Sequence, residues 1–239
     1  MHLIPVKTRI LTPPKDDLFA VLDESLTDIE EGDIVVITSK IVSIHEGRCI
    51  AMEGSDKESL VKKEAEYTCE QQNGRKPLTV IHNALISSSG IDESNGQGYY
   101  ILLPEKPFDS ARKIQEYLAK KHTLKNLGVV ITDSHSTPLR YGAMSIAIGC
   151  WGFAPVEDHK GRKDLFGRVM KYSSLNIADS IAGASGLVTG ECDESQPIVI
   201  ARDVPNIVFA DGDTKAQLFV PLHEDLYHDL FKEFKRNPL

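Results

Sequence analysis

Three polar segments place carboxylates directly after apolar stretches, in settings that a folding core does not require. They are residues 90–95, residues 132–134 and residues 190–194. Carboxylates at the ends of strands or helices can converge on a hard cation such as Mg²⁺ or Mn²⁺, which takes oxygen ligands and bridges substrate phosphates. Each segment alone is equally compatible with ordinary turn and helix-capping residues. Their recurrence predicts a metal site built by three separate parts of the chain.

Positive side chains are the counterpart that a bound nucleotide requires, since its phosphates need cationic as well as metal neutralisation. Lys40 follows an apolar run and is the first candidate. Arg140 and Arg168 lie in glycine-containing segments, where a guanidinium could clamp phosphate or carboxylate through two parallel hydrogen bonds. Surface salt bridges are the alternative interpretation for both arginines.

Several common catalytic patterns are absent from the sequence. It contains no G-x-x-x-x-G-K-[ST] phosphate loop, no G-x-G-x-x-G fingerprint and no G-x-S-x-G nucleophile elbow. The eight histidines form no H-E-x-x-H pair. A bound nucleotide would therefore need a different cradle from the Rossmann or P-loop type.

Composition limits the class of partner and the compartment. A net charge of −8 disfavours nucleic acid as a partner. No window reaches the roughly 18 apolar residues of a membrane helix, and the start lacks a signal-peptide pattern, so we expect a cytoplasmic protein. The cysteines at positions 49, 69, 150 and 192 are far apart, which predicts small buried or half-buried side chains instead of zinc ligands or disulfides.

The elements that must position these residues alternate between strand and helix. The run GDIVVITSKIVS predicts a strand buried on both faces, with Ser39 and Lys40 at or near its end, and GVVITDS predicts a second. A helix opened by Asp16 and Asp17, and another capped by Asp109, are expected to cover them. The remaining expectations are strands at residues 6–11, 78–81, 84–86 and 198–201, helices at 57–70, 177–188 and 226–234, a polar loop at 73–75 and a long structured loop at 146–167. The pattern predicts a mixed α/β (α+β) fold, with residues 1–239 as a single domain of one or two interwoven lobes.

In this order, the segments resemble the coenzyme F-420-0:L-glutamate ligase (γ-glutamyl ligase) family. The matching stretches are GDIVVITSKIVS, SSGIDESN, LLPEKPFDSARKI, GVVITDS, AIGCWGFAPVEDHKGRKDLFGR, ADSIAGASGLVTGE and PIVIAR. They cover most of residues 32–202, and their shared order is more specific than any one of them. The resemblance implies an interwoven α/β fold and a homodimer. It also implies an enzyme that adds glutamate through γ-linked amide bonds and uses GTP and a divalent metal.

Residue by residue, the resemblance implies that Asp92 and Asp133 bind one metal ion, and that Ser134 and Glu191 help to hold a second. Lys40, Arg140 and Asp133 would take part in catalysis. Nucleotide contacts are implied for Ser39, Lys40, Asn95 and the loop of Thr189, Gly190, Glu191, Cys192, Asp193, Glu194, Ser195 and Gln196. The implied partners are GTP or ATP, Mg²⁺ or Mn²⁺, L-glutamate, a small acidic acceptor and a second copy of the chain.

The sequence departs from the family pattern at several positions near these residues. Ile44 replaces a lysine of the SK-x-x-S-K motif, Thr137 an arginine, Leu139 an aromatic residue and Gly186 an acidic residue, while residues 9–12 match poorly. These changes retain the metal-type carboxylates and remove cations from flanking segments. They predict glutamate ligation to an acceptor other than, or broader than, the deazaflavin phosphate; the alternative is that Arg162, Lys163 or His135 restores the charge.

Two other classes of function fit the same residues. A metal-dependent phosphohydrolase would use convergent carboxylates and a bound metal equally well. A non-catalytic nucleotide-binding protein could keep the fold without turnover. Product analysis with and without glutamate distinguishes both from a ligase.

Overall fold

A computed structural model describes residues 1–71 and 75–237. The strands are β1 (His2–Val6), β2 (Ile34–Thr38), β3 (Cys49–Ala51), β4 (Tyr67–Cys69), β5 (Leu78–Ile81), β6 (Ala84–Leu85), β7 (Tyr99–Ile101), β8 (Gly128–Ser136), β9 (Ala143–Trp151), β10 (Val156–Asp158), β11 (Ser174–Asn176), β12 (Ile198–Arg202) and β13 (Lys235–Arg236). The α-helices are α1 (Leu18–Ser25), α2 (Ser39–Glu46), α3 (Lys57–Glu64), α4 (Pro107–His122), α5 (Ile177–Thr189) and α6 (Lys215–Leu218), and short 3-10 helices span Ser87–Gly90 and His228–Phe231. In the described part of the chain, no helix has both the length and the apolar character needed to cross a bilayer.

A five-stranded sheet in the order β1-β12-β2-β8-β9 forms the centre of the molecule. Only β2 and β8 run parallel to each other; the other neighbours are antiparallel. Strand β2 is entirely aliphatic up to its last residue, and its side chains alternate between two cores. Val35 and Ile37 face α1, α2 and α4, whereas Ile34 and Val36 face α5. Covering both faces explains the nearly continuous apolar runs of β2 and β8.

A second, smaller group of elements lies beside this sheet. It comprises the sheet β13-β4-β5-β6, the pair β3-β7 and helix α3. The loop between β5 and β6 is the two-residue turn His82–Asn83, in which both residues have positive φ angles, as a type I′ hairpin requires. Within the second group, Asp92 forms a β-bridge with Ile101 at the end of β7. This bridge positions the segment around Asp92 near the carboxyl end of β2.

The C-terminal segment joins the two groups. Phe219 packs edge-on against Phe108 of α4, and the carbonyl of Val220 accepts a hydrogen bond from Asn83. At the end, Asn237 donates through its side chain to the carbonyls of Lys62 and Ala65 and through its backbone to that of Glu66. Residues 204–237 therefore cross the molecule and complete the edge of β4.

The mixed α/β architecture predicted from the sequence is confirmed, as are β2, β8, β5, α1, α5 and β12. Asp17 caps α1, and Gly190 ends α5 as expected. Residues 73 and 74 of the expected polar loop lie outside the described residues. All four cysteines are free, but Cys192 is exposed, contrary to the expectation of burial.

Other predicted elements were wrong. The first strand is His2–Val6 instead of 6–11, because the chain leaves the sheet after Val6 and residues 8–11 line a cleft. The helix at 57–70 ends at Glu64 and gives way to β4, and Lys106 instead of Asp109 occupies the N-cap of α4. The expected loop at 146–167 begins inside β9. The expected helix at 226–234 is only a short 3-10 helix, with Leu226 and Leu230 exposed.

We predict that Arg202→Met lowers the free energy of unfolding by about 3 kcal/mol, because it leaves a buried carboxylate without its cation. Asp33 is only 1% exposed and accepts two hydrogen bonds from the Arg202 guanidinium, at 2.9 and 2.8 Å. Urea denaturation measures the change. Lys232→Met removes an exposed ion pair with Asp229 and should cost at most about 0.5 kcal/mol. Similar losses in both variants would contradict the prediction.

Candidate functional site

A cleft of about 430 Å³ lies at the carboxyl end of β2, where its parallel pairing with β8 stops. In the parallel register, Thr38 pairs with Thr132, so the residues that follow them, Ser39 and Asp133, emerge side by side. The Ser39 Oγ donates a 2.7 Å hydrogen bond to Asp133 Oδ1. The edge where parallel strands end is the usual place for ligands in α/β sheets.

The main chain turns directly from β2 into helix α2 at Ser39, instead of continuing as a strand. The N-cap residue Thr38 makes no side-chain hydrogen bond to the first turn, and Ser39, Lys40 and Ile41 all line the cleft. The first N–H groups of a helix have no partner within the helix and favour an anion. This feature is not evident in the sequence, because the nearly continuous apolar run GDIVVITSKIVS gives no sign of the change from strand to helix at Ser39.

Lys40 connects α2 to the acidic segment that follows the 3-10 helix Ser87–Gly90. Its Nζ lies 2.7 Å from Asp92 Oδ2, 3.0 Å from the carbonyl oxygen of Ser94 and 3.1 Å from Ser94 Oγ. Ser94 in turn donates to both Asp92 oxygens, from its backbone N–H at 2.8 Å and from its hydroxyl at 3.1 Å. A short network thus fixes the Asp92 carboxylate at the cleft.

The pKa values of Asp92 and Asp133, the two aspartates of the cleft described above, are shifted in opposite directions. Burial, with the negative charge of Asp92 nearby, raises the pKa of Asp133 to about 7 against the hydrogen bond from Ser39. Burial also acts to raise the pKa of Asp92, but the hydrogen bond and charge of Lys40 outweigh it and hold that pKa below its usual value. The cleft therefore disfavours the charged form of the Asp133 carboxyl, chiefly through burial, and a cation bound beside it would stabilise that form.

The loop after α5 forms another wall of the cleft, and all of its predicted nucleotide contacts, residues 189–196, line it. Gly190 ends the helix with a φ of 73°, and the Glu194 carboxylate packs against its Cα so closely that a Cβ would collide with it. Asn95 donates a 2.9 Å hydrogen bond to the carbonyl of Cys192. This bond joins the loop to the Asp92 segment across the cleft.

The residues predicted as metal ligands, Asp92, Asp133, Ser134 and Glu191, line this one cleft together with Lys40. Within residues 1–71 and 75–237, no three His, Cys, Asp or Glu side chains surround a common point. Magnesium-type ions are nevertheless held by one or two carboxylates plus water and substrate phosphates. The carboxylates of Asp92 and Asp133 and the hydroxyl of Ser134 are oxygen ligands of the kind such an ion takes.

Two of the predicted cations lie elsewhere. Arg140 is exposed near the tip of the β8–β9 hairpin, where it donates to the carbonyl of Leu139, and it does not line the cleft. Arg168 is exposed in the segment between β10 and β11. Sequence reasoning also missed Arg9, which lines the cleft and binds Asp16 through two hydrogen bonds of 2.8 Å.

Comparison with known proteins identifies the family. The sequence model of the F420-0:Gamma-glutamyl ligase family matches residues 5–203. The chain belongs to this family. The Coenzyme F420:L-glutamate ligase of Methanocaldococcus jannaschii is 34% identical over 223 residues, covering 84% of this chain and 86% of that protein. The protein of the same name from Methanopyrus kandleri is 31% identical over 244 residues, covering 92% and 94%.

Membership in the F420-0:gamma-glutamyl ligase family makes the chain an enzyme that ligates an acid to an amino acid. The matched region includes strands β2, β8, β9 and β12 of the central sheet and every residue that lines the cleft. Its N-terminal limit leaves out most of β1, and its C-terminal limit leaves out the crossing segment 204–237. The family resemblance drawn from the ordered motifs is thereby confirmed.

We predict that Asp133→Asn stabilises the metal-free protein relative to the parent, and that this advantage shrinks as the pH falls. A raised pKa means that the folded protein favours the protonated form of the Asp133 carboxyl. The contribution of this carboxyl to the stability of the parent is therefore present in acid and is lost as the pH rises through about 7, whereas asparagine does not titrate. Because part of the side chain stays exposed, the gap between the two proteins should narrow by about 2 kcal/mol from pH 8 to pH 5. Urea unfolding in the presence of a chelator measures the free energy of unfolding of both proteins. A difference between them that does not depend on pH would contradict the raised pKa of Asp133.

Proposed function

We propose that this ligase joins L-glutamate to a small acidic acceptor through a γ-glutamyl amide bond, with GTP or ATP as co-substrate and Mg²⁺ or Mn²⁺ as the metal. The observation that carries the proposal is the convergence of Asp92, Asp133, Lys40 and the loop after α5 on one cleft. The relatives that match over most of the chain are named for ligation of L-glutamate to coenzyme F420. A role in coenzyme F-420 biosynthesis, in the cytoplasm, follows as part of the proposal.

The reaction has two balanced steps. An oxygen of the acceptor carboxylate attacks the terminal phosphorus of the nucleotide, and the nucleoside diphosphate leaves. The amine of glutamate then attacks the acyl carbon, inorganic phosphate leaves with the carbon–oxygen bond electrons, and the amine loses a proton. Positioning and charge neutralisation dominate the catalysis of such phosphoryl transfers.

The site residues that line the cleft have different roles in this proposal. Asp92 and Asp133 would hold one metal ion, and Ser134 and Glu191 would assist with a second. Bound metal would supply neutralisation of phosphate charge. Lys40 and the first turn of α2 would bind phosphoryl oxygens, since they offer an ammonium and free N–H groups to an anion. Ser39, Asn95 and the loop 189–196 would contact the nucleotide.

The acceptor is proposed to be F420-0, a folate or another glutamyl-ended molecule, with broader specificity than is typical of the family. Ile44 adds an apolar side chain to the cleft, where the family pattern has a cation. At Gly186, a Cβ would lie 2.5 Å from the hydroxyl of Ser145, which also lines the cleft. The missing side chain thus leaves this hydroxyl in place. Comparison of kcat/KM among acceptors tests the proposal, and a strong preference for F420-0 would contradict it.

We also propose a homodimer. Two projecting regions expose large apolar side chains: Leu139 and Tyr141 on the β8–β9 hairpin, and Leu165, Phe166 and Tyr172 between β10 and β11. All five are at least 90% exposed, which is unusual for a monomer and typical of an interaction surface. Arg140 lies on the same hairpin as Leu139 and Tyr141, so pairing of two subunits through this hairpin would allow its side chain to reach the cleft of the partner subunit.

One experiment separates the ligase from its rivals. The protein is incubated with GTP or ATP, Mg²⁺ or Mn²⁺, L-glutamate and a panel of acceptors, and products are analysed by mass spectrometry. A product heavier by one glutamyl unit, formed only with glutamate and nucleotide present, supports the proposal. Phosphate release that does not need glutamate would indicate a phosphohydrolase. Nucleotide binding without turnover would indicate a binding protein.

A further inference from the structure

The ammonium group of Lys40 has no spare hydrogen-bonding capacity in this conformation. An ammonium carries three N–H donors, and Lys40 has three acceptors within 3.1 Å: Asp92 Oδ2 and the carbonyl and hydroxyl oxygens of Ser94. All three acceptors belong to the acidic segment. Lys40 therefore serves at present as the counter-ion of Asp92 and cannot also bind a phosphate without giving up these bonds.

The carboxylate oxygens of Asp92 are likewise already occupied. Its Oδ2 accepts from Lys40 and Ser94, and its Oδ1 accepts from the Ser94 backbone. A divalent cation approaching this carboxylate would meet a positive charge 2.7 Å from Oδ2. Asp133 forms no ion pair: its side-chain hydrogen-bond donor is the neutral hydroxyl of Ser39, and the Lys40 charge acts on it only through space. Of the two aspartates, only Asp92 already carries a cation of the protein's own.

We propose that Lys40 is an exchangeable counter-ion: a divalent cation binding at Asp92 displaces the Lys40 ammonium, which then turns to the phosphoryl group of the nucleotide. This inference rests on the proposed function and adds a regulatory coupling to it. The exchange makes metal binding and nucleotide binding mutually favourable through one side chain, in addition to any direct bridge between metal and phosphate. The pairing with Lys40 also limits the net charge of the cleft while no ligand is bound.

The test measures Mn²⁺ binding in the absence of nucleotide, from the electron paramagnetic resonance signal of free Mn²⁺. Lys40→Met removes the competing ammonium, so we expect the variant to bind Mn²⁺ roughly tenfold more tightly than the parent. The same variant should bind a non-hydrolysable GTP analogue more weakly. Opposite changes in the two affinities are the signature of exchange, and a residue with only a structural role would not produce them.

Lys57→Met is the matched control, because Lys57 pairs with Glu93, next to Asp92, at 2.5 Å and has no hydrogen bond to Asp92. It makes the same change in net charge, so equal Mn²⁺ tightening in both variants would show a general field effect and overturn the exchange. Lys40→Gln repeats the test with a polar side chain, should the methionine variant not fold.

The outcomes also distinguish this inference from the function it rests on. Unchanged or weaker Mn²⁺ binding by both Lys40 variants, with Mn²⁺ and analogue binding intact in the parent, overturns the exchange and leaves the ligase proposal standing. Absence of Mn²⁺ and analogue binding in the parent overturns both.

Discussion

Replacement of Asp133 by asparagine is expected to lower kcat for glutamate ligation by at least about 10³-fold, equivalent to about 4 kcal/mol of transition-state stabilisation. Asparagine has nearly the shape of aspartate and can still accept the hydrogen bond from Ser39. It lacks the negative charge that a divalent cation needs from this position. Steady-state kinetics with saturating nucleotide, metal and glutamate measure the effect.

A matched control distinguishes this loss from unfolding. Asp109→Asn removes an exposed carboxylate from the first turn of α4, outside the cleft, and should leave kcat within about twofold. Asp133→Asn should remain folded, since an uncharged side chain is easier to bury than a carboxylate. Near-normal turnover by this variant would remove Asp133 from the chemistry.

The double substitution Leu165→Asp and Phe166→Asp is expected to weaken self-association by at least about 10³-fold. These side chains are 99% and 96% exposed. If the proposed interface covers them, each substitution would bury a carboxylate against apolar surface, at a cost of several kcal/mol. Sedimentation equilibrium of parent and variant measures the dissociation constant.

Leu226→Asp supplies the comparison for this experiment, because Leu226 is 88% exposed but lies in the C-terminal segment outside both projecting regions. Its association should match that of the parent. A monomeric parent, or a double variant that dimerises as the parent does, would refute the interface proposed here.

The centre of the fold was predictable because its residues have one structural solution. The β-branched runs of β2 and β8 fit only strands covered on both faces, and Asp133 follows such a run. Lys40 was found for the same reason, although it lies in the first turn of helix α2 instead of at the end of a strand. Once two parallel strands are accepted, their carboxyl ends must bring Ser39 and Asp133 together.

The elements that were missed depend on contacts remote in sequence. Strand β4 forms because β5 and β13 pair with it, although its local pattern continues that of α3. Residues 8–11 were expected to extend the first strand, but they leave the sheet and line the cleft. The helical spacing of Leu226, Leu230 and Phe234 has no packed surface beneath it, so propensity alone does not sustain a helix there.

The bonds of Asn237 to the second group of elements bear on how the enzyme should be expressed and tagged. A fragment cut at residue 203, where the family match ends, would keep the residues of the cleft. It would lose β13 and the three hydrogen bonds that Asn237 donates to the carbonyls of residues 62, 65 and 66. The edge of β4 would then present open N–H and C=O groups to neighbouring molecules, a known route to aggregation. An affinity tag is therefore better attached at the N-terminus, where residue 1 precedes an edge strand that already has its partner.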